Sequence, residues 1–427
     1  MWTRLRTTRH WRTGKIIIHE EAAGFCDAYE LTGSESELAE ARGDSVYYDS
    51  FDTIVLGAGA MGSAAAYHLA RDGRHILLLE QFAIAHNRGS SHGESRIFRY
   101  AYSEPAYARL AIQSKPLWRA LEADAGEPLL REIGGLDIGE TAVGRKEVLA
   151  VAATLQATGS CWEQLERSAL ASRYPQWHLG DEAIAVYSPD TGVLNPTRCV
   201  QVMVGCAIAY GATVRDQEPA MQISPHDDGV EVTTTRDRYR AAHLIITCGA
   251  WTNRVLRDLG RELPLRVSQE QVVYFRPRAN VASFMPDRFP IWIHHREETT
   301  YGFPILGAPG IKIGFHHDGF YLDVENYTQE PRPGVTERLR AYLEQYLPDA
   351  AGEPFDPSTC LYTNTPDENF IVDTLPGRPH IAIGAGFSGH GFKFAIAIGR
   401  ALADLVERGE TKVEVGHLGM GRLSLIP

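Results

Sequence analysis

The chain has 427 residues, 44% of them hydrophobic and 22% charged, a composition ordinary for a globular protein and long enough for more than one core. A formal net charge of −12 disfavours nucleic acid or an anionic membrane surface as partner, and no apolar run approaches the ~20 residues a membrane-spanning helix needs. Six scattered cysteines without a CxxC, and two histidine pairs (His294-His295, His316-His317) whose neighbouring side chains cannot share one face, imply no metal site and a reducing, cytoplasmic setting.

The first 50 residues differ from the rest. Arg4, Arg6, Arg9, Arg12 and Lys15 precede any acid, and the stretch from Glu20 to Glu40 is acidic. The apolar centre of a secretory signal is missing, so a disordered extension, or a start codon placed too far upstream, is expected over 1–50.

From Phe51 the text changes to "FDTIVLGAGAMGSAAAYHLARDGRHILLLE". Thr53 to Leu56 reads as a buried parallel strand, followed by G-x-G-x-x-G at Gly57, Gly59 and Gly62. A helix is predicted to about Asp72, and a second apolar run, Ile76 to Leu79, ends at Glu80. Gly57 permits the tight turn, Gly59 lets the backbone approach a pyrophosphate, and Gly62 lets helix and strand pack closely. Glu80 offers acceptors to a ribose hydroxyl, and an acid there disfavours a 2′-phosphate. FAD or NAD is therefore expected rather than NADP. Gly57, Gly59, Met61, Gly62 and Glu80 make up the expected cofactor loop.

Further along, residues 198–246 read as a helix and three strands, and residues 380–408 as a strand and a helix stopped by Gly409. Residues between these pieces alternate in a strand-like way. The expected fold is α/β: a Rossmann-type nucleotide-binding domain over 51–131, 192–266 and 361–412. Inserted in it, over 132–191 and 267–360, is a substrate domain on a mixed, largely antiparallel sheet, and 413–427 form a tail.

Four blocks behind the glycine fingerprint carry a resemblance. They are "SSHGESRIFRYAY" (90–102), "GIKIGFHH" (310–317), "CLYTNTPDENFIVD" (360–373) and "GFSGHGFKF" (386–394). In that order, over about residues 51–412, the sequence resembles the monomeric sarcosine oxidase family, which includes N-methyltryptophan and pipecolate oxidases. The resemblance implies FAD, a secondary (N-methyl or cyclic) amino acid as substrate, dioxygen as acceptor, hydrogen peroxide as product and a monomeric protein.

It also implies roles. Cys360 is expected to join the flavin covalently. Arg99 and Lys393 match the family's carboxylate clamp, and a carboxylate in a dry pocket does need charge-assisted donors. Lys312 matches the lysine that speeds the reaction with oxygen, where a preplaced cation stabilises developing negative charge. His316, His92, Arg96 and Tyr301 match further active-site positions. Gly389 and Gly391 are expected to let backbone approach the flavin. Three other readings stay open: an NAD-dependent dehydrogenase, a flavin dehydrogenase with a non-oxygen acceptor, and a non-catalytic flavin-binding subunit. The stretch "IWIHHREETTYGFP" (291–304) matches no single family member closely, which leaves the particular amine unassigned.

Overall fold

The apolar run before the glycine fingerprint forms the strand Asp49–Leu56, and Ile76–Leu79 lies parallel beside it, with Leu56 opposite Leu79. The structure, a computed structural model, describes residues 5–9, 16–20, 28–31 and 49–425. Within the first unit, Met1–Asp49, the strands Leu5–Arg9, Ile16–Glu20 and Ala28–Leu31 pair antiparallel in that order. The expectation of disorder over 1–50 falls mainly on residues outside those described.

In the second unit, Ser50–Pro427, the helix Ala60–Arg71 links the first two strands and is buried along nearly its whole length. Its run of alanines makes this possible, because small side chains let it sit between the sheet and the helices Pro196–Ala209 and Ala395–Arg408. The expected stop is present: Asp72 caps the helix and Gly73 follows at φ +81°. Thr213–Arg215 extends the sheet in parallel on one side, and Arg238–Ile246 pairs in parallel with Arg378–Ala385 on the other. Residues 198–246 contain four strands where three were expected. The unforeseen one is the short Thr213–Arg215, whose three residues leave too little alternation to read.

The second sheet has nine strands, and its pairing is antiparallel except where Ile291–His295 runs parallel to Gly135–Gly139. It draws on the segments read as the inserted domain. The strand Pro354–Asn364 crosses the drawn limit at 360, however, pairing with Arg266–Phe275 as far as Asn364. One face of this sheet packs on the helix Pro333–Tyr346, with Leu136, Ile138, Trp292, Ile311 and Ile313 in the core. The alternate residues face the other way, and that face is where the site forms. The carboxyl end of the chain is tied down as well: Arg422 bonds Asp367, and Leu418 is fully buried.

Candidate active site

A cavity of about 760 Å³ opens between the carboxyl ends of the first sheet and the free face of the second. That edge of a parallel sheet is where ligands bind in doubly wound folds. Gly57, Gly59, Met61 and Glu80 line one end. Gly57 sits at φ +91°. A Cβ on Gly62 would lie 1.8 Å from the Gly57 carbonyl oxygen, so Gly62 serves helix–strand packing and does not itself face the cavity. Buried Glu80 accepts hydrogen bonds from the backbone N–H groups of Ala58 (2.8 Å) and Phe82 (2.9 Å), and so holds the glycine loop in shape. Burial raises its pKa.

Cations gather around the middle of the cavity. Lys312, 5% exposed, donates to the backbone oxygen and the hydroxyl of Ser95, both at 3.1 Å. Burial first, and then Arg96, push its pKa down to about 7. Arg96 itself donates to the carbonyls of Ser95 and Ser90. His92 has a buried Nε2 with no partner, and burial followed by Arg96 lowers its pKa to about 4. Cys360 and Tyr301 line the same space. Burial raises both pKa values, while Arg96 and Lys312 act the other way on the thiol.

At the far end Tyr102 lies between Arg99 and Lys393, each of which sits over its ring, at 4.5 and 5.2 Å from the centroid. Lys393 is 5% exposed and donates to the Tyr102 hydroxyl (2.7 Å) and the His390 carbonyl (2.8 Å). Among the described residues no acid pairs with it. Burial, then Arg99, depress its pKa strongly. Arg99 is itself paired, its Nη1 lying 2.8 Å from Asp137 Oδ1. That partner comes from the strand Gly135–Gly139, 38 residues on, where sequence proximity gives no warning. The same oxygen takes a hydrogen bond from His295 Nε2, also at 2.8 Å. His316 lines the cavity just past the strand Ile311–Phe315, its ring edge-on to His317 and Tyr362.

Comparison with known proteins gives the family. The family described as DAO, FAD dependent oxidoreductase, matches residues 52–405. The chain is 35% identical to the monomeric sarcosine oxidase of Streptomyces avermitilis over 388 residues, covering 88% of this chain and 99% of that one. It is 38% identical to the human peroxisomal sarcosine oxidase over 365 residues, covering 84% and 92%. Among solved structures, NikD, an unusual amino acid oxidase essential for nikkomycin biosynthesis, superposes with a TM-score of 0.76 at 28% identity, covering 87% of this chain and 97% of NikD. The chain belongs to the FAD-dependent oxidoreductase family.

The residues of this oxidoreductase fit that cofactor. The glycine loop lines the cavity at the start of the helix Ala60–Arg71, Glu80 lies at the same end, and among the described residues the buried Nε2 of His92 has no partner. Two of the expected glycines also have a packing role. Gly389 and Gly391 line the cavity, yet a Cβ on either would collide with the Tyr362 ring (2.0 Å) or the Phe387 side chain (2.6 Å). Their smallness accommodates these side chains. The sequence reading also missed Tyr102, Ser95 and Asp137. Asp137 had a usable signal: in "GLDIG" a lone acid alternates with Leu136 and Ile138, so a strand there turns it away from the apolar core.

Proposed function

We propose that this enzyme oxidises secondary amino acids, N-methyl or cyclic, at the carbon next to nitrogen, with dioxygen as acceptor and hydrogen peroxide as product. The carrying observation is the pair of cations flanking Tyr102, one of them, Lys393, buried with no acid beside it among the described residues. A buried cation in that state is costly unless an anion arrives, and a substrate carboxylate is such an anion. Arg99 and Lys393 would grip it, with Tyr102 as a spacer that orients both donors. FAD, when bound, supplies the two-electron acceptor for the C–H bond and then passes the electrons to dioxygen.

Lys312, His92 and Arg96 surround the middle of the cavity, and Lys312 offers a cation where negative charge develops on oxygen. Tyr301 and His316 form the wall over the substrate. Gly57, Gly59, Met61 and Glu80 would hold the nucleotide portion. Cys360 is the proposed covalent attachment point, supported by its place on the cavity wall; burial raises its thiol pKa, and the charges of Arg96 and Lys312 act the other way. The reading includes a monomer, as the names of bacterial relatives have it. It also includes a cytoplasmic location, in line with Cys161, Cys199, Cys206, Cys248 and Cys360 all being free. Among the described residues no helix is long and apolar enough to cross a membrane.

The test is a panel of N-methyl and cyclic amino acids, scored for anaerobic bleaching of the flavin and for peroxide in air. No bleaching by any member sinks the reading, whereas bleaching without peroxide moves it to a dehydrogenase. Acid precipitation tests the linkage: yellow colour stays with the wild-type pellet and leaves with the supernatant in Cys360→Ser.

A further inference from the structure

Amino acids reach a neutral solution with the nitrogen protonated, and the electron pair on nitrogen has to be free before the adjacent C–H bond is oxidised. With an amine pKa of roughly 10, about one molecule in a thousand is neutral at pH 7. A group able to take that proton inside the site therefore has a large effect to offer. Most ionisable groups around the clamp cannot do so. Arg99 and Arg96 do not give up their protons, and Lys393 and Lys312 are already tied to Tyr102, the His390 carbonyl and Ser95 and need their protons for the roles proposed above. His390 is engaged at both nitrogens, by Tyr102 and the Glu368 carbonyl. Among the described residues no carboxylate stands beside His316 to stabilise it once charged.

His295 differs. It lies on the cavity face of its strand, while its neighbour His294 turns to Tyr342 in the core. Its one hydrogen bond among the described residues runs from Nε2 to Asp137, which is 3% exposed and can only accept. The carboxylate thus fixes the proton on Nε2 and leaves the Nδ1 lone pair free. Since Arg99 and His295 meet on the same Asp137 oxygen, guanidinium and imidazole are at most two hydrogen-bond lengths apart. The proton-free Nδ1 lies across the same cavity-lining ring, and an amino acid held by its carboxylate on Arg99 has its nitrogen only two bonds beyond the carboxylate carbon.

We propose that His295 is the proton acceptor for the bound substrate and that Asp137 is its positioning residue. This rests on the amino acid oxidase reading above. The ammonium N–H bond breaks, the Nδ1–H bond forms, and Asp137 stabilises the imidazolium. The proton passes to solvent through the cavity mouth as product leaves, and no electrons move in this step. The charged or titratable groups facing His295 are Asp137 on the parallel strand, Arg99, the adjoining Arg296, Tyr301 on the next strand and Glu147 on the helix Ala142–Ala157. Of these only Asp137 bonds the ring.

The test is anaerobic flavin reduction by an N-methyl amino acid from pH 6 to 10 in wild type, His295→Asn, His295→Gln and Asp137→Asn. The His295 variants should be slowed ~100- to 1,000-fold at pH 7. The deficit should shrink about tenfold per pH unit towards pH 10, as the substrate deprotonates in solution. Asp137→Asn should show the same trend with a smaller deficit. Binding of a simple carboxylate without an amine, read from the flavin absorbance, should stay unchanged in His295→Asn, showing an intact clamp. A deficit that is constant with pH, or none, overturns the dyad alone. Failure of the wild type to be reduced overturns the oxidase reading and the dyad together.

Discussion

The two ends of the cavity are built in opposite ways. The end proposed for the nucleotide is local: one strand, a glycine loop, one helix and Glu80 supply it within about 30 consecutive residues, and it is lined by backbone and one acid. The substrate end is assembled from far-apart pieces. Arg99 follows a short strand, Asp137 and His295 sit on paired strands, and Lys393 lies in the turn before the last helix. What it offers is buried side-chain charge. Steric fit protects the first end, so a change there should act through folding and flavin content. Charge balance protects the second, so a change there should act on substrate while flavin stays in place.

The largest effect expected is at the nucleotide end. Gly62→Ala puts a Cβ 1.8 Å from a backbone oxygen that cannot rotate away, a cost on the order of 3 kcal/mol or more. Little flavin-loaded protein should be recovered, read as flavin absorbance per unit of protein and as a lowered Tm. Full loading would show that the loop tolerates a shift and would blur the contrast. Next comes Lys393→Met. Loss of a buried charge-assisted contact to the substrate carboxylate should cost ~2–4 kcal/mol, a roughly 30- to 1,000-fold rise in substrate Kd. Flavin content should not change, and the variant should melt no lower than wild type, because a buried cation without an acid is replaced by an apolar side chain of similar length. Loss of flavin in parallel with substrate would merge the two ends into one unit.

The same contrast governs what could be read from sequence. The first sheet, its helix and its glycines were legible because period, turn chemistry and terminal acid all lie in one window, and each constrains the next. At the other end the types of residue were legible through short blocks, but their partners were not. Nothing near Arg99 in the chain announces Asp137, and nothing near Lys393 announces Tyr102; the sheet register and the return of the last strand create both contacts. The glycines of "GFSGHGFKF" show the converse. Their presence was readable, while the side chains that require them, Tyr362 and Phe387, depend on packing.

Lys312 lies between the two ends, and its charge can be tested in both half-reactions and in folding. Lys312→Met should slow reoxidation by oxygen ~100-fold and leave anaerobic reduction largely intact. Equal loss in both halves would refute a role confined to oxygen. In wild type, reoxidation should fall as pH rises through the lysine's folded pKa, since the cation is then lost. The folding effect is smaller and has the opposite sign. In flavin-free protein the folded pKa is about 7 against the ordinary 10.5. Between those values the unfolded chain binds a proton that the folded chain has released, so stability rises with pH across the window, by at most about 1.4 kcal/mol per unit. Below pH 7 both states are protonated and the penalty of burying the cation is constant. Chemical denaturation of flavin-free wild type and Lys312→Met at pH 7 and 9 should therefore show a steeper rise in wild type. Parallel slopes would mean that Lys312 keeps its proton in the folded state, and the bonds to Ser95 rather than burial would then set its charge.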